Sequence, residues 1–189
     1  MVGLGNPGPQ YIRTRHNAGF AVLALLAERH GVGFRRLGRG VPGESARLRL
    51  GEADVLLLRP LTFMNLSGDA VGPVCRREGL GPQQLLLVYD DMDLPLGSLR
   101  LRPDGGAGGH RGVASVQATL GASGLARVRV GIGRPPVGVD AAEHVLGSVA
   151  PQDRPTWEEA LGRAADAVEA VCTLGLELAM VRFNRPGVM

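Results

Sequence analysis

The chain is expected to be an α/β protein built as one domain, and three observations predict this. Short apolar runs alternate with stretches of helical periodicity along its length. Polar clusters follow directly on those runs, where strand ends would lie. A length of 189 residues, with 44% hydrophobic and 21% charged side chains, suits one compact core and is small for two.

Taken in order, Met1-Val2-Gly3 reads as the end of a first strand, entering a loop at Gly5-Asn6-Pro7-Gly8 that runs to Asn17. Residues 18–30 carry Val22, Leu23, Leu26 and Ala27 on neighbouring helical faces. Residues 46–50 alternate as a half-buried strand, and 54–59 form a buried one. Ser67 is placed to cap the next helix, which Gly72-Pro73 should leave weak or kinked. Residues 85–89 make the clearest central strand, ending at Asp90. Residues 98–102 alternate again and lead into a glycine-rich stretch, 105–112. A helix over 113–120 and a strand over 127–132 follow. Residues 133–150 read as irregular. Residues 155–172 place Trp157, Leu161, Ala164, Val168 and Val171 at amphipathic spacing, and a short last helix ends near Phe183-Asn184.

Composition excludes several classes. The longest apolar runs fall far short of the roughly 20 residues needed to span a bilayer, and no basic segment with an apolar core marks a signal peptide. The expectation is therefore a cytoplasmic protein. Cys75 and Cys172 form no CxxC pair, so no disulfide framework is read. All 21 basic residues are arginine, and the net charge is +3. Guanidinium groups grip phosphate through a planar fork, so an arginine patch suits a nucleic-acid backbone.

The polar residues point to a hydrolytic site. His16 precedes a helix and can serve as a general base, although a lone histidine there is more often a surface or capping residue. Asp90 leaves a buried strand and can hold an imidazole proton. No G-x-S-x-G motif supplies a nucleophile, so such a pair would activate water directly. Asn6 and Asn65 each offer an N–H and a C=O, as a peptide main chain requires, while Gly-Asn-Pro-Gly is also turn chemistry in its own right. Arg100 and Arg102 share one strand face opposite Leu99 and Leu101, and Arg127 and Arg129 repeat the pattern. The G-x-G-x-x-G at 3–8 lacks a full preceding strand and has prolines where a helix would begin, so no dinucleotide site is read. Residues 105–112 lack the Lys-Ser/Thr of a phosphate loop.

Taken together, six ordered blocks resemble the bacterial peptidyl-tRNA hydrolase family across nearly the whole chain. They are Val2-Gly3-Leu4-Gly5-Asn6-Pro7-Gly8, Tyr11 with Thr14-Arg15-His16-Asn17-Ala18-Gly19, Pro60 through Gly68, Asp90 through Gly97, Gly105 through His110, and Arg127 through Gly133. The resemblance implies a twisted, mixed and mostly parallel sheet wrapped by helices, in a single domain over 1–189 with a mobile lid near 133–150. It implies hydrolysis of the ester between a peptide and the 3′ end of tRNA, with His16 as base, Asp90 as its partner and Asn65 in the catalytic group. Asn6, Tyr11, Met64, His110 and Arg111 would contact the peptide or ester. Arg100, Arg102 and Arg129 would hold tRNA phosphate. A monomer without metal or cofactor is implied, with peptidyl-tRNA as its one partner.

Two departures from the family stand out. Arg111 follows His110 where the family has Asn, replacing a group that donates and accepts with one that only donates; the expectation is that Arg111 reaches acceptor-stem phosphates or the terminal ribose. The start is also abrupt, so the first strand is expected to be short. Two rival readings stay open: an RNA-binding module of the same fold without hydrolysis, and a metal-dependent enzyme using Asp91 and Asp93 with His110 or His144.

Overall fold

The computed structural model describes residues 1–38 and 40–184; positions 39 and 185–189, which the single-domain expectation included, lie outside the described residues. Seven strands form one sheet in the order β2-β3-β4-β1-β5-β7-β6. They are β1 (Val2–Gly3), β2 (Arg35–Arg36), β3 (Gly43–Leu50), β4 (Ala53–Pro60), β5 (Leu86–Asp91), β6 (Leu99–Arg102) and β7 (Ala126–Gly131). The inner four, β4, β1, β5 and β7, run parallel; β3 and β6 pair antiparallel at the two flanks, and β2 adds an antiparallel rung to β3. The expected mixed sheet is therefore present. β1 is only two residues long, yet it occupies the centre, bonded to both β4 and β5.

Six helices cover the sheet: α1 (Ala18–Arg29), α2 (Ser67–Glu78), α3 (Arg111–Leu120), α4 (Ala141–Leu146), α5 (Arg154–Leu174) and α6 (Leu176–Phe183). Two apolar clusters lie among them. One joins α1, α5 and α6 to β3 and the outer part of the sheet through Leu23, Leu26, Leu101, Ala164 and Val168. The other joins α2 and α3 through Val71, Val74, Val113 and Val116 to Leu4, Leu87 and Tyr89. Helices thus bury both faces, which is why β5 reads as a continuous apolar run rather than an alternating one.

The structure corrects three expectations and adds one strand. The helix expected to be weak or kinked at Gly72-Pro73 is not weak: it runs a full twelve residues, with Pro73 inside it. Burial of Ala70, Val71, Val74 and Cys75 offsets the one lost backbone bond. Gly72 is there for close approach: a Cβ would lie 2.6 Å from Thr119 Cγ2 of α3. Ser67 does not cap α2. It is fully buried in the first turn, and its hydroxyl donates to Met64 O at 2.8 Å. Residues 133–150, expected to be irregular, contain α4, capped by Asp140 through the Ala142 and Glu143 N–H groups. The rung β2 was not anticipated.

Candidate active site

The functional groups meet at the carboxyl end of β5, where open α/β sheets place their sites. Asp90 is the penultimate residue of β5 and 2% exposed. His16 arrives from a short 3-10 turn, Arg15–Asn17, that runs straight into α1. Gly19 lets the start of α1 press onto the sheet: a Cβ there would lie 2.2 Å from Val88 O and 2.3 Å from Leu4 N. That close seating carries the His16 ring over the end of β5. Its Nδ1 lies 2.9 and 3.1 Å from the two Asp90 carboxylate oxygens. Asp90 can only accept at neutral pH, so Nδ1 donates, and in the neutral imidazole Nε2 is then left bare.

A second imidazole shares the carboxylate. His110 Nε2 lies 3.2 Å from Asp90 Oδ1, and the two histidine rings are 5.0 Å apart. Burial on its own pushes the Asp90 carboxyl up. The hydrogen bonds from His110 and His16 outweigh it and hold the group well below the usual carboxylate range.

These residues open onto a cleft of about 450 Å³. Asn6, Tyr11, Met64, Asn65 and Arg111, all singled out in the sequence, line it together with His16, Asp90 and His110. Asn6 is buried, and its Oδ1 accepts the Met64 N–H at 2.8 Å. That bond fixes the amide with its NH₂ uncommitted among the described residues. Asn65 is exposed at the rim, and Arg111 is exposed at the first turn of α3. Among the described residues, no serine, threonine, cysteine or lysine lines the cleft.

Asn17 is a site residue that sequence reasoning missed. Its Oδ1 accepts the Asn6 N–H at 2.9 Å and its Nδ2 donates to Asn6 O at 3.0 Å, so it clamps the loop that presents Asn6. The only signal was an amide side chain next to a candidate base.

The four arginines of β6 and β7 are also brought together. Arg100 stands opposite Arg129 and Arg102 opposite Arg127, so all four share a face. They are not equivalent. Arg127 is 2% exposed and donates to Gly105 O at 2.6 Å and Gly106 O at 2.8 Å, pinning the glycine-rich loop. Arg129 is ion-paired through Nε to Asp91. A second cavity of about 300 Å³ lies between this face and that loop, lined by Arg102, Arg127 and Arg129 but not Arg100.

One group among the described residues has metal-ligand proximity: atoms of His16, Asp90 and His110 lie within 4.8 Å of one another. It is not the Asp91–Asp93 set considered from the sequence. Asp91 and Asp93 are instead ion-paired to Arg129 and Arg134, and His144 Nε2 meets Gly133 O at 3.0 Å. The three atoms are poorly prepared for a metal. Both nitrogens sit as proton donors to Asp90, and His110 Nδ1 already accepts the Val113 N–H at 3.2 Å.

Fold and site together define a class: a single-sheet α/β protein whose carboxylate-backed imidazole faces a cleft with no serine, threonine or cysteine among its described lining residues. Comparison with known proteins gives the family. The family model for peptidyl-tRNA hydrolase matches residues 1–188. The peptidyl-tRNA hydrolase of Chloroflexus aurantiacus is 46% identical over 190 residues, covering 97% of each chain. That of Desulforudis audaxviator is 50% identical over 185 residues, covering 97% of this chain and 92% of its own. A crystal structure of a peptidyl-tRNA hydrolase complexed with N-propanol superposes with a TM-score of 0.92 at 33% identity, covering 100% of this chain and 95% of that one. The enzyme from Acinetobacter baumannii gives 0.90 at 34% identity, covering 97% and 92%. The chain belongs to the peptidyl-tRNA hydrolase family.

Proposed function

We propose that the protein hydrolyses the ester joining a peptide to the 3′-terminal ribose of tRNA, with His16 as general base. The observation that carries this is the Nδ1 contact of His16 with Asp90, which leaves Nε2 as an uncommitted base beside the cleft. Water attacks the ester carbonyl and gives its proton to Nε2. Asp90 stabilises the resulting imidazolium. The uncommitted NH₂ of Asn6, with Asn65 at the rim, meets the developing oxyanion and the peptide main chain. Collapse of the tetrahedral species breaks the bond to the ribose oxygen, which takes the proton back from Nε2. Free peptide and tRNA leave.

Tyr11 and Met64 line the peptide side of the cleft. Arg100 and Arg102 supply phosphate contacts, and the Nη groups of Arg129 add to them although its Nε is held by Asp91. Arg111 reaches a phosphate or ribose of the terminal nucleotides. Residues 133–150 act as a lid with limited freedom. Its later part is held by Arg15 N–H to Gly147 O, by Arg15 Nη1 to His144 O and by a bridge from Thr14 to Ser148. Movement is then confined to the stretch before α4, between Gly133 and Gly138, both at positive φ. The protein works as one domain, as a monomer in the cytoplasm, where its substrate arises; no helix among the described residues is long and apolar enough to cross a membrane.

A binding module without hydrolysis is not favoured, because the base, its carboxylate and the amide donors all line one cleft. Turnover of an N-acylated aminoacyl-tRNA is the deciding assay. His16→Ala should lower kcat by roughly 10²–10⁴-fold, the usual worth of a general base. Near-normal turnover in that variant would remove His16 from the role.

A further inference from the structure

The mechanism uses one imidazole on Asp90, and the structure supplies two. The second has no polar atom left for a substrate. His110 is the N-cap of α3: its Nδ1 accepts the Val113 N–H at 3.2 Å. A backbone N–H can only donate, so Nδ1 is bare and the ring proton sits on Nε2. Nε2 points at Asp90 Oδ1, 3.2 Å away. The same Oδ1 accepts from His16 Nδ1 at 2.9 Å. A second proton on Nδ1 would face the Val113 N–H head-on. The ring is also boxed in, with the Tyr89 ring 4.8 Å from it and its Cε1 only 3.1 Å from where a Cβ on Gly112 would stand.

We infer that His110 is a positioning residue: a helix-locked N–H donor that holds Asp90 in place and draws part of the carboxylate's charge away from His16. The inference rests on His16 acting through Asp90. Asp90 must favour the imidazolium enough to help proton abstraction, but not so strongly that His16 is already protonated when water arrives. A fixed second donor on the same oxygen sets that balance. The other charged or titratable groups facing the cluster are Asp91 and Tyr89 of β5, Asp93 in the turn after it, Arg111 of α3 and Tyr11 of the loop after β1. Asp91 and Asp93 are already paired to Arg129 and Arg134.

Two substitutions divide the functions of His110. His110→Gln places an amide N–H near the position of Nε2 and gives up the cap acceptor. His110→Asn keeps a good cap acceptor and is too short to reach Asp90. The experiment is kcat and KM against pH for both variants, with thermal melting as a folding control. In His110→Asn the whole carboxylate charge acts on His16, so the imidazolium is favoured. The acid limb of kcat/KM should move up by about one pH unit, and activity on the acid side of the parent limb should fall by up to about tenfold with KM little changed. His110→Gln should keep the parent limb and lie within about threefold of its kcat. An unmoved limb in folded His110→Asn, or a rise in KM of similar size in both variants, would overturn the inference in favour of direct substrate contact. Should His110→Asn fail to fold, His110→Gln decides alone: a parental limb and KM support the inference, a raised KM overturns it. None of these outcomes bears on His16 itself, whose role stands or falls on His16→Ala.

Discussion

At the scale of single residues, the site depends on which hydrogen-bond partners each side chain has already spent. His16 has committed Nδ1 to Asp90 and kept Nε2. Asn6 has committed Oδ1 to Met64 and kept its NH₂. Arg111 lines the same cleft with no ion pair or hydrogen bond among the described residues, so its guanidinium is free for substrate. An Asn at that position would both donate and accept, whereas guanidinium only donates and carries a charge. Arg111→Asn should therefore weaken tRNA binding about ten- to a hundredfold, in keeping with removal of one charge-assisted hydrogen bond, as read by filter binding of an uncleavable tRNA analogue. Unchanged affinity with faster turnover would show that Arg111 impairs the chemistry instead.

At the scale of elements, the site is made by how tightly α1 sits on β1 and β5. Gly3 and Gly19 face each other across that contact: a Cβ on Gly3 would lie 2.5 Å from Gly19 O. The atoms surrounding a Cβ on Gly19 are backbone, and backbone in a central sheet has little room to yield. Gly19→Ala should destabilise the fold by about 3 kcal/mol or more, in the range of overpacked cores, as measured by urea unfolding. Whatever folds should lose activity beyond the loss of folded fraction, because α1 carries His16. A variant with parental stability would show that α1 can be lifted without cost. Elements that the sequence concealed are short ones. α4 buries only His144 in six residues, so it shows no hydrophobic period. Its signal lay in Asp140 followed three residues on by Glu143, a capping pattern rather than a periodic one.

At the scale of the whole molecule, the balance of charge matters more than its total. A net charge of +3 is modest, yet four of the 21 arginines share one face of β6 and β7. Tertiary contacts then sort them. Arg127 is consumed by the glycine-rich loop and Arg129 is half-committed to Asp91, while Arg100 and Arg102 have no acidic partner among the described residues. Replacing Arg100 and Arg102 together by Ala should lower the slope of log affinity against log salt by about 1.5, roughly 0.7–0.9 for each phosphate no longer neutralised. Equilibrium binding of tRNA from low to moderate salt measures it. An unaltered slope would place the phosphate-binding groups elsewhere.

The sequence by itself determined the α/β class, the central strand ending at Asp90, the Leu-in, Arg-out face of β6 and the set of candidate side chains, because periodicity and strand-end position are local properties of the chain. Only the tertiary structure decided which candidates meet. His16 and Asp90 are 74 residues apart, and their contact exists because two glycines let a helix rest on a sheet backbone. Tertiary structure also decided that Asn17 braces Asn6, that Arg127 is spent on the scaffold, and that His110 spends both ring nitrogens on Val113 and Asp90. The physical reason is common to all three. A polar side chain's role is set by the partners left to it once the fold has brought distant donors and acceptors together, and spacing along the chain does not record that.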